Sequence, residues 1–298
     1  MGFRAVRCPL GGAWCASLLV AWAPLAAQQT RANTIDIVAV NDSTYQVSGR
    51  ATTGLVYLRF TNRSRIVQSA NLVAVAPDMP MDTALGRLRA GQFGRFIANA
   101  GGIGATGPGQ SVTVAAVLPP GPFIVMSRLQ ASDGRPWFAH GMVAPLVIGG
   151  TGDPREPGRI RVSARVMTDA RFQYWRALYA RNGREELLSG VTFNEALWAG
   201  RHILRFENPG GEHEVVIIRA PTVAPQVMSQ YVGNRRLAPG AVVVGGLGPM
   251  QPQSQVWMHL DMEPGVYFIF CPLFHQRSGL HGFRSGEQAM VIVRRQLN

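Results

Sequence analysis

Residues 264–271 read Pro-Gly-Val-Tyr-Phe-Ile-Phe-Cys, and residues 120–125 read Pro-Gly-Pro-Phe-Ile-Val. In both segments a Pro-Gly turn leads into a short run of β-branched and aromatic residues, which is typical of a strand that follows a tight turn. The two segments begin 144 residues apart. The chain therefore presents the same kind of strand twice, near the end of two stretches of similar length.

Three other segments repeat in the same order as this strand. The copies are separated by 141–146 residues. A repeat of this length indicates duplicated domains, because the units of a solenoid have only about 20–50 residues. The repeated segments are 58–62 with 204–208, 101–104 with 245–248, and the His-Gly pairs 140–141 and 281–282.

Both copies read as all-β, with short alternating strands separated by Pro-Gly and Asn-rich turns. We expect two tandem Greek-key β-sandwich domains over residues 32–148 and 159–298, joined by a Gly/Pro-rich linker over 149–158. Residues 170–188 stay open between a helical turn and a hairpin. The predicted strands are 34–40, 56–60, 111–118 and 123–126 in the first copy, and 160–166, 214–218, 256–260, 266–270 and 290–293 in the second.

The first 27 residues have the pattern of an export signal. Arg4 and Arg7 precede an apolar stretch over 16–23, and small residues precede a predicted cleavage point after Ala27. Pro24 interrupts the apolar stretch, and no later segment has transmembrane length. We therefore expect an exported protein that does not span a membrane, located in the periplasm or outside the cell.

The chain is strongly basic, with 29 Lys and Arg against 17 Asp and Glu and a net charge of +12. All the basic residues are arginines, and they are scattered along the chain. A cytoplasmic protein of this charge would suggest nucleic acid as a partner. Because export is predicted, nucleic acid is not expected as a partner here.

One cysteine, Cys271, remains after the predicted signal is removed, so no internal disulfide is expected. It ends the apolar run 266–270 and is followed by His275 and His281, while His213 lies upstream just after an Asn-Pro-Gly-Gly loop. A thiolate and two imidazoles from distant segments are the ligand set of a trigonal copper centre. A cysteine by itself is more often a small buried residue of the core than a metal ligand.

The ordered motifs resemble those of the cupredoxin family of copper proteins. They are a Thr-Gly or Ala-Gly pair before an apolar strand (53–54 and 199–200), an Asn-rich loop, a Gly-rich stretch, and the Pro-Gly-aromatic strand. The resemblance implies one copper ion in the second domain, with ligands His213, Cys271 and His281. His275 is the alternative to His281. No methionine stands at the usual axial place, which leaves Glu287 and Met290 as alternates.

The same resemblance leaves the first domain without a ligand set. An ungapped comparison places Val67 opposite His213 and Ser127 opposite Cys271. It also pairs His140 with His281, which favours His281 over His275, and pairs Met142 with Phe283. We therefore expect no metal in the first domain.

Two functions remain open at this point. The first is electron transfer or copper handling by the second domain, with a redox partner protein. The alternative is a metal-free module that recognises a protein or a glycan through its loops. Enzyme motifs such as paired His-X-His are absent from the sequence, so the chain is not expected to be an enzyme by itself. Residues 77–82 carry two methionines and could form a site for Cu(I). We interpret them as a loop, because two methionines are few for such a site and methionine usually fills gaps in packing.

Overall fold

The computed structural model describes residues 33–150, 197–208, 212–221, 226–234, 237, 239–275, 279–285 and 288–295. Residues 33–150 are called the first half, and the described residues from 197 onward the second half. The first half contains β1 (Thr34–Asn41), β2 (Thr44–Gly49), β3 (Ala51–Thr52), β4 (Gly54–Asn62), β5 (Gln68–Val75), α1 (Met81–Arg89), β6 (Ile97–Thr106), β7 (Ser111–Leu118), β8 (Gly121–Met126), a 3-10 helix (Trp137–His140) and β9 (Val143–Gly149).

The second half has nearly the same succession of elements. From β3 onward, each element of the first half has a counterpart of the same type in the second half, and the counterparts come in the same order. An additional short hairpin, β16 with β17, precedes the second 3-10 helix. The second half contains β10 (Leu197–Trp198), β11 (Gly200–Asn208), β12 (His213–Ala220), α2 (Gln226–Asn234), β13 (Val242–Met250), β14 (Ser254–Met262), β15 (Gly265–Phe270), β16 (Phe274–His275), β17 (Leu280–His281), a 3-10 helix (Gly282–Ser285) and β18 (Gln288–Arg294).

The strands form two large sheets. A six-stranded sheet has the order β11-β14-β7-β4-β1-β2, and a ten-stranded sheet has the order β10-β18-β15-β12-β13-β6-β5-β8-β9-β3. Alternate residues of both sheets point to a shared main core, as the period of two in a strand requires. The all-β sandwich predicted from the sequence is confirmed. Main-core residues include Phe60, Val114 and Met258 from the first sheet, and Leu72, Ile217 and Ile269 from the second.

Both sheets run continuously from one half into the other. In the six-stranded sheet, β7 pairs antiparallel with β14, and Val114 lies opposite Met258. In the ten-stranded sheet, β6 meets β13, and Ile103 lies opposite Leu247. Each of these strands thus pairs with the strand at the corresponding place in the other half.

The Gly-rich segments that the sequence repeats are the middles of β6 and β13, and they face each other. A Cβ built on Gly104 would lie 2.7 Å from the carbonyl oxygen of Leu247 and 2.8 Å from its amide nitrogen. A Cβ on Gly248 would lie 2.4 Å from the carbonyl oxygen of Gly101. Only glycine permits two backbones to approach this closely. The sequence placed these glycines ahead of a strand, whereas in the structure they lie within strands.

Two short α-helices cover the outer face of the ten-stranded sheet, and the sequence did not predict either. In α1, Ala84, Leu85 and Leu88 are buried against residues of β5, β6 and β8. The predicted loop 77–82 extends only to Pro80, because α1 begins at Met81. Proline suits a helix start, and an acidic residue in the first turn interacts favourably with the helix dipole, as Asp82 does here.

Several predictions fall outside the described residues. They are the export signal over 1–27, the linker beyond residue 150, the strand over 160–166 and the open stretch over 170–188. The domain limits therefore stay predictions. Within the part of the chain that is described, no helix has both the length and the apolar character needed to cross a membrane.

His259 lies where the two halves meet in the six-stranded sheet. It stands opposite Thr113 of β7, and its ring meets the ring of Tyr57 edge-on at 6.2 Å. Its Nε2 is buried and has no hydrogen-bond partner among the described residues. Burial disfavours the charged imidazolium and lowers the pKa of His259 below its ordinary value of 6.5.

The Gly104→Ala variant is expected to be less stable than the wild type. Overpacking of this kind costs about 1–3 kcal/mol, so the free energy of unfolding in a denaturant titration should fall by about 2 kcal/mol. Gly86→Ala is the control, because a Cβ there meets nothing within 4 Å and Gly86 is exposed on α1. That variant should gain about 0.5–1 kcal/mol through helix propensity. Equal stability of the two variants would contradict the close approach of β6 and β13.

Stability should also depend on the protonation of His259. Because the folded-state pKa lies below the unfolded value, the unfolded chain binds more protons, and stability falls as the pH drops below about 6.5. His259→Phe keeps an aromatic ring but cannot titrate. Its denaturation midpoint should therefore change less between pH 7.5 and pH 5 than that of the wild type. The same pH dependence in both proteins would show that this histidine is not responsible.

Candidate metal centre

Cys271 follows directly after β15 and is buried. Tyr267 and Ile269 of β15 point into the main core, and continued alternation places Cys271 on that same face. Its carbonyl oxygen accepts a hydrogen bond from the Phe283 amide at 2.9 Å. The thiol-bearing residue is thus enclosed at the end of a central strand, and its backbone is tied to the segment that follows His281.

His213 is the first residue of β12, the strand next to β15, and it is partly buried. Val216 lies opposite Phe270 in this antiparallel pair, so Val215 comes opposite Cys271 and His213 lies two residues further along. On its other side His213 lies opposite Met250 of β13. The sheet therefore brings the segments of His213 and Cys271 to the same end of two neighbouring strands.

Asn208 anchors the end of β11, the strand that precedes β12. This asparagine ends β11 and is buried, and its Nδ2 donates to the carbonyl oxygens of Met250 at 3.1 Å and Gln251 at 3.0 Å. Met250 thus contacts both Asn208 and His213. In the first half, Asn62 ends β4 in the same way, and its Nδ2 donates to the carbonyls of Ile66 and Thr106, both at 2.8 Å.

His281 lies on β17, opposite Phe274 of β16. Its Nδ1 donates to the carbonyl oxygen of Pro272 at 2.8 Å, which leaves the lone pair of the neutral ring on Nε2. The ring lies between two aromatic side chains. It stacks on Phe283 with centroids 5.9 Å apart and meets Phe274 edge-on at 5.4 Å. These contacts fix both the orientation of the imidazole and its tautomer.

A row of aromatic rings connects His281 to α2. Phe283 meets Phe270 edge-on at 5.9 Å, and Phe270 meets Tyr231 of α2 in the same manner at 5.9 Å. Tyr231 is only 1% exposed. These residues belong to a second hydrophobic cluster, the α2 cluster, on the face of the ten-stranded sheet that is turned away from the main core. Its buried members are Ala105, Leu129, Val216, Ile218, Ala220, Val227, Met228, Tyr231, Val243, Phe268, Phe270 and Phe283.

The three predicted ligands share one end of the second half but do not form a closed set. Among the residues that the structure describes, no three His, Cys, Asp or Glu side chains form a group that could hold a metal ion. The side chain of His275 and the whole of Glu287 lie outside the described residues. Met290 is in β18, opposite Phe268, and packs against the α2 cluster. The ligand assignment therefore stays a prediction.

Backbone contacts identify the residues of the first half that correspond to the candidate ligands. The carbonyl oxygen of Ser127 accepts from the Phe138 amide at 2.9 Å, as that of Cys271 accepts from Phe283. Ser127 therefore corresponds to Cys271, as predicted. The register of β5 with β8 matches that of β12 with β15 only if Gln68 corresponds to His213. The ungapped pairing of His213 with Val67 is thus wrong by one residue.

The predicted pairing of His140 with His281 is also wrong. The Trp137 amide donates to the Leu129 carbonyl at 2.8 Å, and the Gly282 amide makes the same bond to the Leu273 carbonyl. His140 ends its 3-10 helix, whereas His281 precedes the other one, so the residue that corresponds to His281 is Pro136. Phe283 corresponds to Phe138 and not to Met142. The shared His-Gly pair misled the comparison because backbone hydrogen bonds, not a dipeptide, define the loop.

In the first half these positions are occupied by residues that bond within the protein. Ser127 is fully buried, and its hydroxyl lies 3.2 Å from that of Ser69. The Tyr45 phenol donates to the carbonyl of Ser69, and burial raises the pKa of Tyr45 well above its usual range. The Gln68 amide donates to the carbonyl of Asp42 at 3.1 Å. Buried polar residues thus stand where the second half has Cys271 and His213, and Ser127 forms a hydrogen-bonded network with Ser69 and Tyr45.

No protein-family model matches the chain, and no curated protein matches it. Three similar solved structures differ in coverage. Dithionite-reduced auracyanin from Roseiflexus castenholzii is 17% identical, with a TM-score of 0.27 over 40% of this chain and 98% of that one. Auracyanin A from Chloroflexus aurantiacus, a blue copper protein, is 12% identical, with a TM-score of 0.25 over 36% and 85%. Copper nitrite reductase from Nitrosomonas europaea is 14% identical, with a TM-score of 0.22 over 87% and 92%. At these TM-scores, none of them assigns a ligand or an activity to this chain.

Loss of the Asn208 side chain is expected to destabilise the second half. Asn208→Ala removes two hydrogen bonds and leaves the carbonyls of Met250 and Gln251 without this donor, at a cost of about 1–3 kcal/mol. Denaturant titration should show this loss. Asn41→Ala is the control, because Asn41 is exposed and, among the described residues, its side chain bonds within its own turn to Ser43. Its effect should stay within about 0.5 kcal/mol. A loss no larger for Asn208→Ala would mean that the loop is held by other contacts.

Proposed function

We propose that this chain is an exported, cupredoxin-like protein whose second half binds one copper ion for electron transfer or copper handling. The ligands would be His213, Cys271 and His281. A thiolate with two imidazoles combines the soft ligand that Cu(I) prefers with the nitrogen ligands that Cu(II) prefers. A copper ion held in this way would carry one electron at a time.

The main support is a pair of hydrogen bonds that joins the backbone directly after β15 to the segment that contains His281. The Phe283 amide donates to the Cys271 carbonyl at 2.9 Å, and His281 Nδ1 donates to the Pro272 carbonyl at 2.8 Å. A histidine that binds a metal usually donates its other ring nitrogen to a carbonyl or a carboxylate in this way. His281 is thereby prepared to offer Nε2 to a metal ion.

The donor types fit copper, and the distances require some rearrangement. Ligands at about 2.0–2.3 Å from one ion lie within roughly 4 Å of one another. No described group of three such side chains is that compact. Binding would therefore bring the three candidate side chains closer together.

The wider biology follows from the same proposal. Export would place the protein in the periplasm or outside the cell, and a redox partner protein would exchange electrons with it. We also propose that the chain arose by tandem duplication. This idea is supported by the repeated order of elements and by pairing of corresponding strands at Val114 with Met258 and at Ile103 with Leu247. The first half would then be a scaffold that supports the second.

A second candidate function is a metal-free module that binds a protein or a glycan through its loops. It is favoured by the open arrangement of the three candidate ligands among the described residues. It is also favoured by the first half, where the same backbone carries Gln68, Ser127 and Pro136 in place of ligands. Copper binding by the purified protein separates the two candidates.

We expect the full chain to bind one equivalent of Cu(II) and to show an intense thiolate-to-copper absorption band. Cys271→Ser should abolish the band. His213→Ala and His281→Ala should each lower copper affinity by at least tenfold, because each removes one ligand. His140→Ala is the control, since His140 pairs with Asp133 in the first half at 3.1 Å and should leave binding unchanged. A colourless protein without stoichiometric copper would favour the metal-free module.

A further inference from the structure

Three residues form a polar bridge between the two halves beside His213. Glu212, the residue before His213, has its carboxylate held by the Nδ2 group of Asn99 in β6. The Oδ1 atom of Asn99 accepts from the guanidinium of Arg128 at 3.0 Å. Arg128 itself lies 3.9 Å from the Glu212 carboxylate. Asn99, Arg128 and Glu212 are called the Glu212 clamp below.

Further contacts hold both the backbone and the side chain of Arg128 in place. The backbone amide of Arg128 donates to Asn71 Oδ1 at 3.4 Å, and its guanidinium carbon lies 4.9 Å from the centroid of the Phe93 ring. The Arg128 side chain is 33% exposed and that of Glu212 is 45% exposed. An ion pair this exposed and this long would contribute little alone. The amide of Asn99, which bonds to both charges, is what makes it a defined connection.

At the equivalent place with the two halves exchanged, the three positions hold apolar residues that cannot form such a clamp. By the strand registers, Glu212 corresponds to Val67, Asn99 to Val243 and Arg128 to Pro272. Val67 is partly buried and packs against the α2 cluster, most of which belongs to the second half. The contact at this equivalent place, between Val67 and the α2 cluster, is thus apolar. Among the residues that the structure describes, this polar connection lies on the side that carries His213.

We infer that Asn99 and Arg128 of the first half are positioning residues for His213. They hold the carboxylate of Glu212 and thereby fix the backbone from which the imidazole extends. The inference rests on the proposed function for the role of His213, but the clamp itself can be tested without metal. In this view the first half contributes to the site of the second half through two side chains that contact no metal.

Hydrogen exchange of the full, metal-free chain tests the clamp. Amides over residues 213–215 should exchange roughly three- to tenfold faster in Asn99→Ala and Arg128→Ala, because a charge-assisted hydrogen bond between partly exposed side chains contributes less than a buried one. Glu212→Gln keeps an acceptor for Asn99 and should have a smaller effect than Glu212→Ala. Arg59→Ala is the matched control, because Arg59 pairs with Asp36 within the first half. Unchanged exchange over 213–215 in both clamp variants would overturn the inference.

Titration with Cu(II) alone tests the consequence for His213. Asn99→Ala and Arg128→Ala should weaken copper binding roughly three- to tenfold, less than the loss expected on removing His213 itself, while Arg59→Ala should bind as the wild type does. Affinities within twofold of the wild type for both clamp variants would overturn the positioning role. If the wild type binds no copper, the proposed function fails instead, and the exchange measurement alone decides whether the clamp fixes His213.

Discussion

Gly104 of one half and Leu247 of the other lie backbone against backbone, and the two large sheets depend on this contact. A single added methyl group at Gly104 would come within 2.8 Å of three backbone atoms of Leu247. The repeated glycines therefore set the distance between the halves. With that distance fixed, β7 and β14 can pair along the other sheet, and the main core can extend through both halves without a break.

The same contact decides which side chains can reach across from one half to the other. Asn99 lies in β6, a few residues before the glycines, and meets Glu212, which directly precedes β12 in the other half. Because β13 lies between β6 and β12, a shift of β6 would move the anchor of His213 as well. The corresponding positions in the two halves have different chemistry, with Ser127 in a buried polar network on one side and Cys271 on the other. The two halves thus have similar backbones but carry different side chains at the ends of corresponding strands.

Strong alternation made the central strands predictable from the sequence. Segments such as 34–41 and 111–118 alternate clearly enough to be predicted nearly residue by residue. The strands β6 and β13 were missed because glycine lowers strand propensity, and only a partner backbone explains its presence there. The helix α1 was missed because three buried residues in nine give a weak period.

The candidate site could be predicted only in part. The place of Cys271 at the end of a strand followed from the local pattern, and the strand that runs into the Asn-rich loop at Asn208 followed from the family resemblance. The relation between His140 and His281 did not, because two residues of identical sequence carry less information than the hydrogen bonds of the loop. The clamp at Glu212 joins residues 113 positions apart, and no local pattern could reveal it.

The ten-stranded sheet ends in β3 and β10, which have only two residues each. An outer strand presents unpaired amides and carbonyls to which another chain can add a strand, and a short one offers few of them. Joining the halves through β6 and β13 turns two strands that would otherwise be edges into central ones. Fusion of the halves therefore reduces the length of open sheet edge, which should help such a β-rich protein to stay unaggregated when concentrated.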